Sequence, residues 1–239
     1  MNYHFYLLRW LIPNSILVFI AIGAWHYGFL FQLYSNDKSY ISSLITIIYF
    51  FTSLHCLYKM YFISDQINLS DKIKDIFINN SETKIRIVNS EININYDFKL
   101  TVKNHLTDYI KNFIKRNNSE NDKNNYILLD LFSDKLKGEV KIGSFISDSL
   151  FKLGLLGTII GFVLMLQPIS NIDSFDEISI KNALTSMSAG MSIALFTTLS
   201  GLIGGLLLKM QYYFLEDAAE KLFHQTSELS EIYLSKASK

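Results

Sequence analysis

Four long runs of the chain carry no charge, and they set its organisation. Residues 10–34, 39–58, 153–172 and 182–208 contain no Asp, Glu, Lys or Arg. Each is about 20 residues or longer, enough at about 1.5 Å per residue to cross roughly 30 Å of hydrocarbon. The pattern predicts an all-α integral membrane protein with four transmembrane helices, at about 10–34, 39–62, 148–170 and 180–210. Only Arg9 precedes the first apolar run as a basic residue. That run is longer than a signal-peptide core and lacks a small-x-small cleavage pattern, so it is expected to stay as a span.

The segments between the runs differ sharply. Ser35–Lys38 and Ser170–Lys181 are short, and the second holds Asp173, Asp176 and Glu177. The stretch from 64 to 147 is long and rich in lysine. Basic residues near span ends mark the cytoplasmic side, and Arg9, Lys59, Lys141, Lys152 and Lys209 all fall on the side of this long segment. Both termini and the 64–147 insert are therefore expected in the cytoplasm. The predicted division is 1–63 for the first helix pair, 64–147 for a mainly helical cytoplasmic domain, 148–210 for the second helix pair and 211–239 for a cytoplasmic C-terminal helix.

Within the insert, Ser70 is placed to cap a short amphipathic helix, "DKIKDIFI". "FKLTVKNHLTDYIKNFIKR" has apolar residues at helical spacing. "TKIRIV" and "EININY" alternate and are compatible with a strand pair, and "NNSENDKNN" (117–125) is a polar break.

Composition adds exclusions. The sequence has 22 basic and 22 acidic residues, so no excess of positive charge points to nucleic acid. The single cysteine, Cys56, cannot form an intrachain disulfide. P-loop, HExxH, CxxC and GxSxG patterns are absent, so no enzymatic chemistry and no cofactor is expected. His26 and His55 lie in spans, where a histidine either packs or relays protons.

The third and fourth spans carry the unusual pattern. Gly154, Thr158, Gly161 and Met165 recur at four, three and four residues, which puts glycine backbone and one hydroxyl on one helical face. Gly190, Ala194, Thr198, Gly201 and Gly205 do the same on the fourth span, with Thr197 about 100° away around the axis. Such faces allow close helix packing. They equally suit a narrow polar path. Neither span has an acid at its middle, so an ion on that path needs a carboxylate from another chain.

"LGLLGTIIGFVLML" and "GMSIALFTTLSGLIGG" resemble the third and fourth helices of the MotA/TolQ/ExbB proton-channel family, over about residues 150–215. The resemblance implies the ion-conducting subunit of a rotary motor in the bacterial inner membrane. It implies a homopentamer around a dimer of a MotB/TolR/ExbD-like protein, which has one span and an intramembrane aspartate. Thr158 and Thr198 then match the pore threonines, and Thr197 the extra hydroxyl of sodium-type members. Gly154, Gly161, Gly190, Ala194, Gly201 and Gly205 serve helix packing or face the partner. Ile193 stands where the TolQ/ExbB branch has a glutamate. The transported ion is H⁺ or Na⁺, and three hydroxyls lean toward Na⁺. The other reading of the same faces is a membrane scaffold or permease subunit in which they only pack.

Overall fold

The computed structural model describes residues 5–37, 39–79, 85–88, 91–94, 98–101, 104–117, 126–170 and 177–234. The polar stretch at 118–125 and the acidic turn holding Asp173 and Asp176 lie outside the described residues.

The first charge-free run folds as two helices, where the pattern predicted one. α1 spans Phe5–His26 and α2 spans Phe29–Asn36. The break falls at Gly28, whose φ of 72° is in the left-handed region that only glycine enters without penalty. Asp37 then ends α2 and caps α3 (Ile41–Asn79). Its Oδ1 accepts the Ser39 N–H at 2.9 Å and the Ser39 hydroxyl at 2.5 Å, and its Oδ2 accepts the Ser42 N–H at 2.7 Å. Burial pushes this carboxyl up, but the bonds from Ser39 and Ser42 outweigh it and hold it below the usual carboxylate value. Between them Tyr40 sits at φ 58°, a strained conformation for an aromatic residue that the cap holds in place.

No glycine or proline interrupts Ile41–Asn79, so α3 runs unbroken for 39 residues. The separate helix predicted after Ser70 does not exist. Ser70 lies inside α3 at 2% exposure, not at a helix start.

Three short strands follow, β1 (Ile85–Val88), β2 (Glu91–Ile94) and β3 (Phe98–Thr101). They form one antiparallel sheet, with Ile85 opposite Ile94 and Ile94 opposite Phe98. The alternating pieces "TKIRIV" and "EININY" thus pair. The helix predicted from Phe98 instead begins at His105, as α4 (His105–Asn117). Phe98 and Leu100 are also spaced by two, and in Phe98–Thr101 the strand period prevails.

α5 (Tyr126–Ser170) and α6 (Glu177–Glu228) complete the helices, and α6 ends in a wider π-helical turn at Leu229–Leu234. At 45 residues α5 is about 68 Å long, more than twice the hydrocarbon thickness. Four helical segments, Phe5–His26, Ile41–Asn79, Tyr126–Ile169 and Glu177–Leu234, are long and apolar enough to cross a membrane. Apart from the sheet and the short turns at 27–28, 37, 39–40 and 104, the described residues are helical.

The chain forms two compact units. One consists of residues 11–57 and 142–213 and contains nearly all of the charge-free sequence. Its interior is small or apolar at Ile45, Cys56, Leu150, Ile193 and Leu208. Large apolar side chains such as Phe19, Phe51, Phe162 and Leu195 point outward, as expected where the solvent is lipid.

The other unit consists of residues 1–10, 58–141 and 214–239. Here α4 buries Leu106, Tyr109, Ile110, Phe113 and Ile114, one apolar face at three- and four-residue spacing. Its first turn is held by polar side chains. The Leu106 N–H donates to Gln66 Oε1 at 3.0 Å, and Gln66 is fully buried. Glu139 Oε1 accepts from Lys59 Nζ at 2.8 Å and from His105 Nε2 at 3.1 Å. Burial raises the Glu139 carboxyl, but the bonds from His105 and Lys59 overcome it and hold the group below its ordinary value.

The Glu139 contacts give a direct expectation. Glu139→Gln keeps the shape and removes the charge, at a cost of about 1–3 kcal/mol. Amide exchange in α4 should speed up accordingly at neutral pH. In the parent protein the sign follows from the lowered folded value. The contribution is complete above the ordinary value of 4.5 and is lost as pH falls through the lower folded one. Identical α4 exchange in parent and variant at neutral pH would refute the anchoring role.

Candidate functional site

α5 and α6 meet along a seam made largely of main chain. A Cβ on Gly201 would lie 2.7 Å from Gly154 Cα and 2.7 Å from the Leu150 carbonyl. One on Gly161 would lie 2.5 Å from Ala194 N, and one on Gly190 would lie 2.5 Å from Met165 N. Gly205 faces the Phe151 ring, 2.8 Å from its would-be Cβ. As α6 descends from Gly205 through Gly201 and Ala194 to Gly190, α5 ascends from Phe151 through Gly154 and Gly161 to Met165. This is antiparallel packing of two small-residue ridges. A short side-chain bond crosses the seam from the buried Ser147 hydroxyl to the Gly205 carbonyl at 2.7 Å.

The predicted packing residues Gly154, Gly161, Gly190, Ala194, Gly201 and Gly205 therefore all lie in one contact, between two helices of one chain. The four-three-four spacing puts Thr158 and Thr198 on the seam, but Thr197 fills the α6 position. Gly157 takes the position on α5 where Thr158 was expected, and Ser147 extends the seam by nearly two turns. The GxxxG formed by Gly157 and Gly161 already points to Gly157, as that of Gly201 and Gly205 does to α6.

The threonines sort into two settings. Thr197 is fully buried, and a Cβ on Gly157 would overlap its side chain. Its hydroxyl donates back to the Ile193 carbonyl at 2.8 Å. Thr198 is half-buried beside the seam, where its hydroxyl donates to the Ala194 carbonyl at 2.9 Å and lies 3.4 Å from the Gly154 carbonyl on the other helix. Thr158 is half-buried too, and its hydroxyl donates to the Leu155 carbonyl at 2.5 Å. Gly154 is four residues before Thr158, so its carbonyl is the helical acceptor for the Thr158 N–H. The two hydroxyls therefore donate to different carbonyls, Thr158 to Leu155 and Thr198 to Ala194, with the Gly154 carbonyl near Thr198.

These geometries fix the chemistry on offer. A threonine oxygen that donates its proton to a carbonyl keeps its lone pairs free. Thr158 and Thr198 then present acceptors only, suited to a cation or to the proton of a carboxylic acid. No acid stands among them, since the described residues of α5 and α6 carry no charge from Leu153 to Ser170 or from Asn182 to Leu208.

The intramembrane histidines lie elsewhere. His55 Nδ1 is 2.9 Å from the Tyr212 hydroxyl, and Tyr212 lays its ring over Gly143, where any Cβ would overlap it. Beside them Gln211 Nε2 donates to Asn14 Oδ1 at 2.5 Å and to the Tyr49 hydroxyl at 3.2 Å. His26 is exposed at the end of α1, its ring edge-on to Tyr27.

Four membrane-length apolar helices and an uncharged, hydroxyl-bearing helix pair define an integral membrane protein. A model of the MotA/TolQ/ExbB proton channel family matches residues 108–228, half of the chain. The chain belongs to this family of membrane channel subunits. The matched region takes in nearly all of α4 and the whole of α5 and α6, well beyond the two spans that carried the resemblance. No curated protein and no solved structure matches the chain.

The seam is testable through two neighbouring glycines. Gly201→Ala drives a methyl into Gly154 and should cost several kcal/mol of stability in detergent. Gly204→Ala meets only Ile45 Cγ2 at 3.5 Å and Leu150 Cδ1 at 3.7 Å. It should be neutral or stabilising by up to about 1 kcal/mol, the helix cost of glycine. Equal thermal stability of the two variants would show that the backbones do not touch.

Proposed function

We propose that this chain is the ion-conducting subunit of an inner-membrane rotary motor. In this reading it forms a homopentamer around a dimer of a MotB/TolR/ExbD-like partner, the type with which this family generally works. Each partner helix brings one intramembrane aspartate to the hydroxyls of Thr158 and Thr198. A proton or sodium gradient across the membrane drives ions past that aspartate and turns one assembly against the other. The 64–147 insert, both termini and the C-terminal helix lie in the bacterial cytoplasm.

One observation carries the proposal. The family match covers a helix pair whose free lone pairs are acceptors and whose spans contain no carboxylate. Such a surface completes an ion path only when an acid is supplied from outside the chain. The protein's part is to orient hydroxyl oxygens and exclude lipid, and the partner's is to carry the charge.

The packing reading has its own observation, since the glycines of α5 and α6 from Gly143 to Gly205 all face atoms of this same chain. It predicts a monomer or dimer by native mass measurement and no flux with any partner.

The deciding experiment reconstitutes the chain with the single-span protein encoded beside it. Thr158→Val and Thr198→Val should each lower ion flux at least tenfold while the assembly keeps its mass. Full flux in both variants sinks the pathway assignment.

A further inference from the structure

Thr197 and Thr198 are adjacent, yet the seam treats them differently. Thr197 is 0% exposed, and its Oγ1, Cβ and Cγ2 fill the space that a side chain on Gly157 would need. Its hydroxyl donates to its own helix, 2.8 Å from the Ile193 carbonyl and 3.2 Å from that of Ala194, as the other two threonines donate to theirs, but full burial closes its lone pairs to an ion. On α6 the residues against α5 run Ala194, Thr197, Gly201, and their counterparts on α5 run Gly161, Gly157, Gly154. Thr197 is the one branched side chain in that triplet, a knob set in a glycine notch between two backbone contacts.

Successive residues on a helix point about 100° apart. Seating Thr197 in the notch therefore fixes which way Thr198 points. It leaves Thr198 beside the seam, half-buried, with its hydroxyl 2.9 Å from the Ala194 carbonyl and 3.4 Å from the Gly154 carbonyl. An α6 turned toward placing Thr198 in the notch would bury the hydroxyl that the path needs.

We propose that Thr197 is a positioning residue that sets the rotation of α6 on α5, and that it does not ligate the transported ion. This rests on the pathway reading for Thr158 and Thr198 and narrows it. Each chain then offers two hydroxyls to the ion, not three. The hydroxyl count no longer leans toward sodium, because a hard cation of that kind needs several oxygen ligands.

The test has one arm that needs flux and one that does not. Thr197→Val keeps the branched shape and removes the hydroxyl. In the reconstituted assembly its maximal flux, and its half-saturating Na⁺ or H⁺ concentration, should stay within about twofold of the parent. A fivefold shift in half-saturation, or a changed cation preference, overturns the proposal.

The second arm moves the knob across the seam and reads thermal stability and assembly in detergent. Gly157→Ala should destabilise the protein, because its methyl overlaps Thr197. Adding Thr197→Gly to Gly157→Ala should recover much of the loss, even though a helical glycine alone costs about 1 kcal/mol. A double variant no more stable than Gly157→Ala overturns the knob-and-notch contact. If Thr158→Val and Thr198→Val both conduct like the parent, the pathway reading fails, while the Gly157 pair still decides the role of Thr197.

Discussion

Contact between bare main chain at Gly154 and Gly201 is the interaction around which the 142–213 helices are arranged. Lipid is as apolar as leucine, so no hydrophobic force pulls membrane helices together. What remains is dispersion, weak Cα–H to carbonyl bonds and the occasional side-chain bond, and all of these fall off steeply with distance. Glycine brings the axes close enough for them to count. Once that approach is set, Ala194 can rest on Gly161, Gly190 on Met165, and Ser147 can reach the Gly205 carbonyl at 2.7 Å. The hydroxyl of Thr198 reaches toward the Gly154 carbonyl only because the backbones are this near. The polar chemistry of the pair is a by-product of its packing.

The unit formed by residues 1–10, 58–141 and 214–239 is held by a different logic. There a soluble-type apolar face on α4 is buried in the ordinary way, and polar side chains fix its entry. Gln66 satisfies one of the orphan N–H groups at the start of α4, and Glu139 takes both Lys59 and His105 on one oxygen. Surface ion pairs such as Lys135–Asp108 add little by comparison.

Much of this was legible in the sequence because hydrocarbon tolerates so little charge. The four uncharged runs located the spans, and the small residues at three- and four-residue spacing located the seam. The rotation of each helix was not legible. From Ala194 to Gly201 the chain can step by four then three, through Thr198, or by three then four, through Thr197. From Gly154 to Gly161 the same choice lies between Thr158 and Gly157. Both paths fit 3.6 residues per turn, and both helices take the one that the spacing argument passed over. The choice depends on what stands opposite, which one chain's periodicity does not contain. Phe98–Thr101 illustrates the same gap, since apolar residues there satisfy a period of two as well as the helical one. Helix ends fared no better. Gly28 broke the first run and nothing broke α3 at Ser70, because a left-handed glycine matters more than a potential cap.

A joint made of glycine has mechanical consequences of its own. Interlocked leucines can yield to stress by switching rotamers, one at a time, and so absorb small rearrangements. At Gly154, Gly161, Gly190 and Gly201 the facing atoms are main chain or the Ala194 methyl, with no side-chain torsions to switch. Along this seam α5 and α6 have no rotamer change by which to slip gradually past each other. Between residues 142 and 213 the two helices are therefore built to move together, as one element.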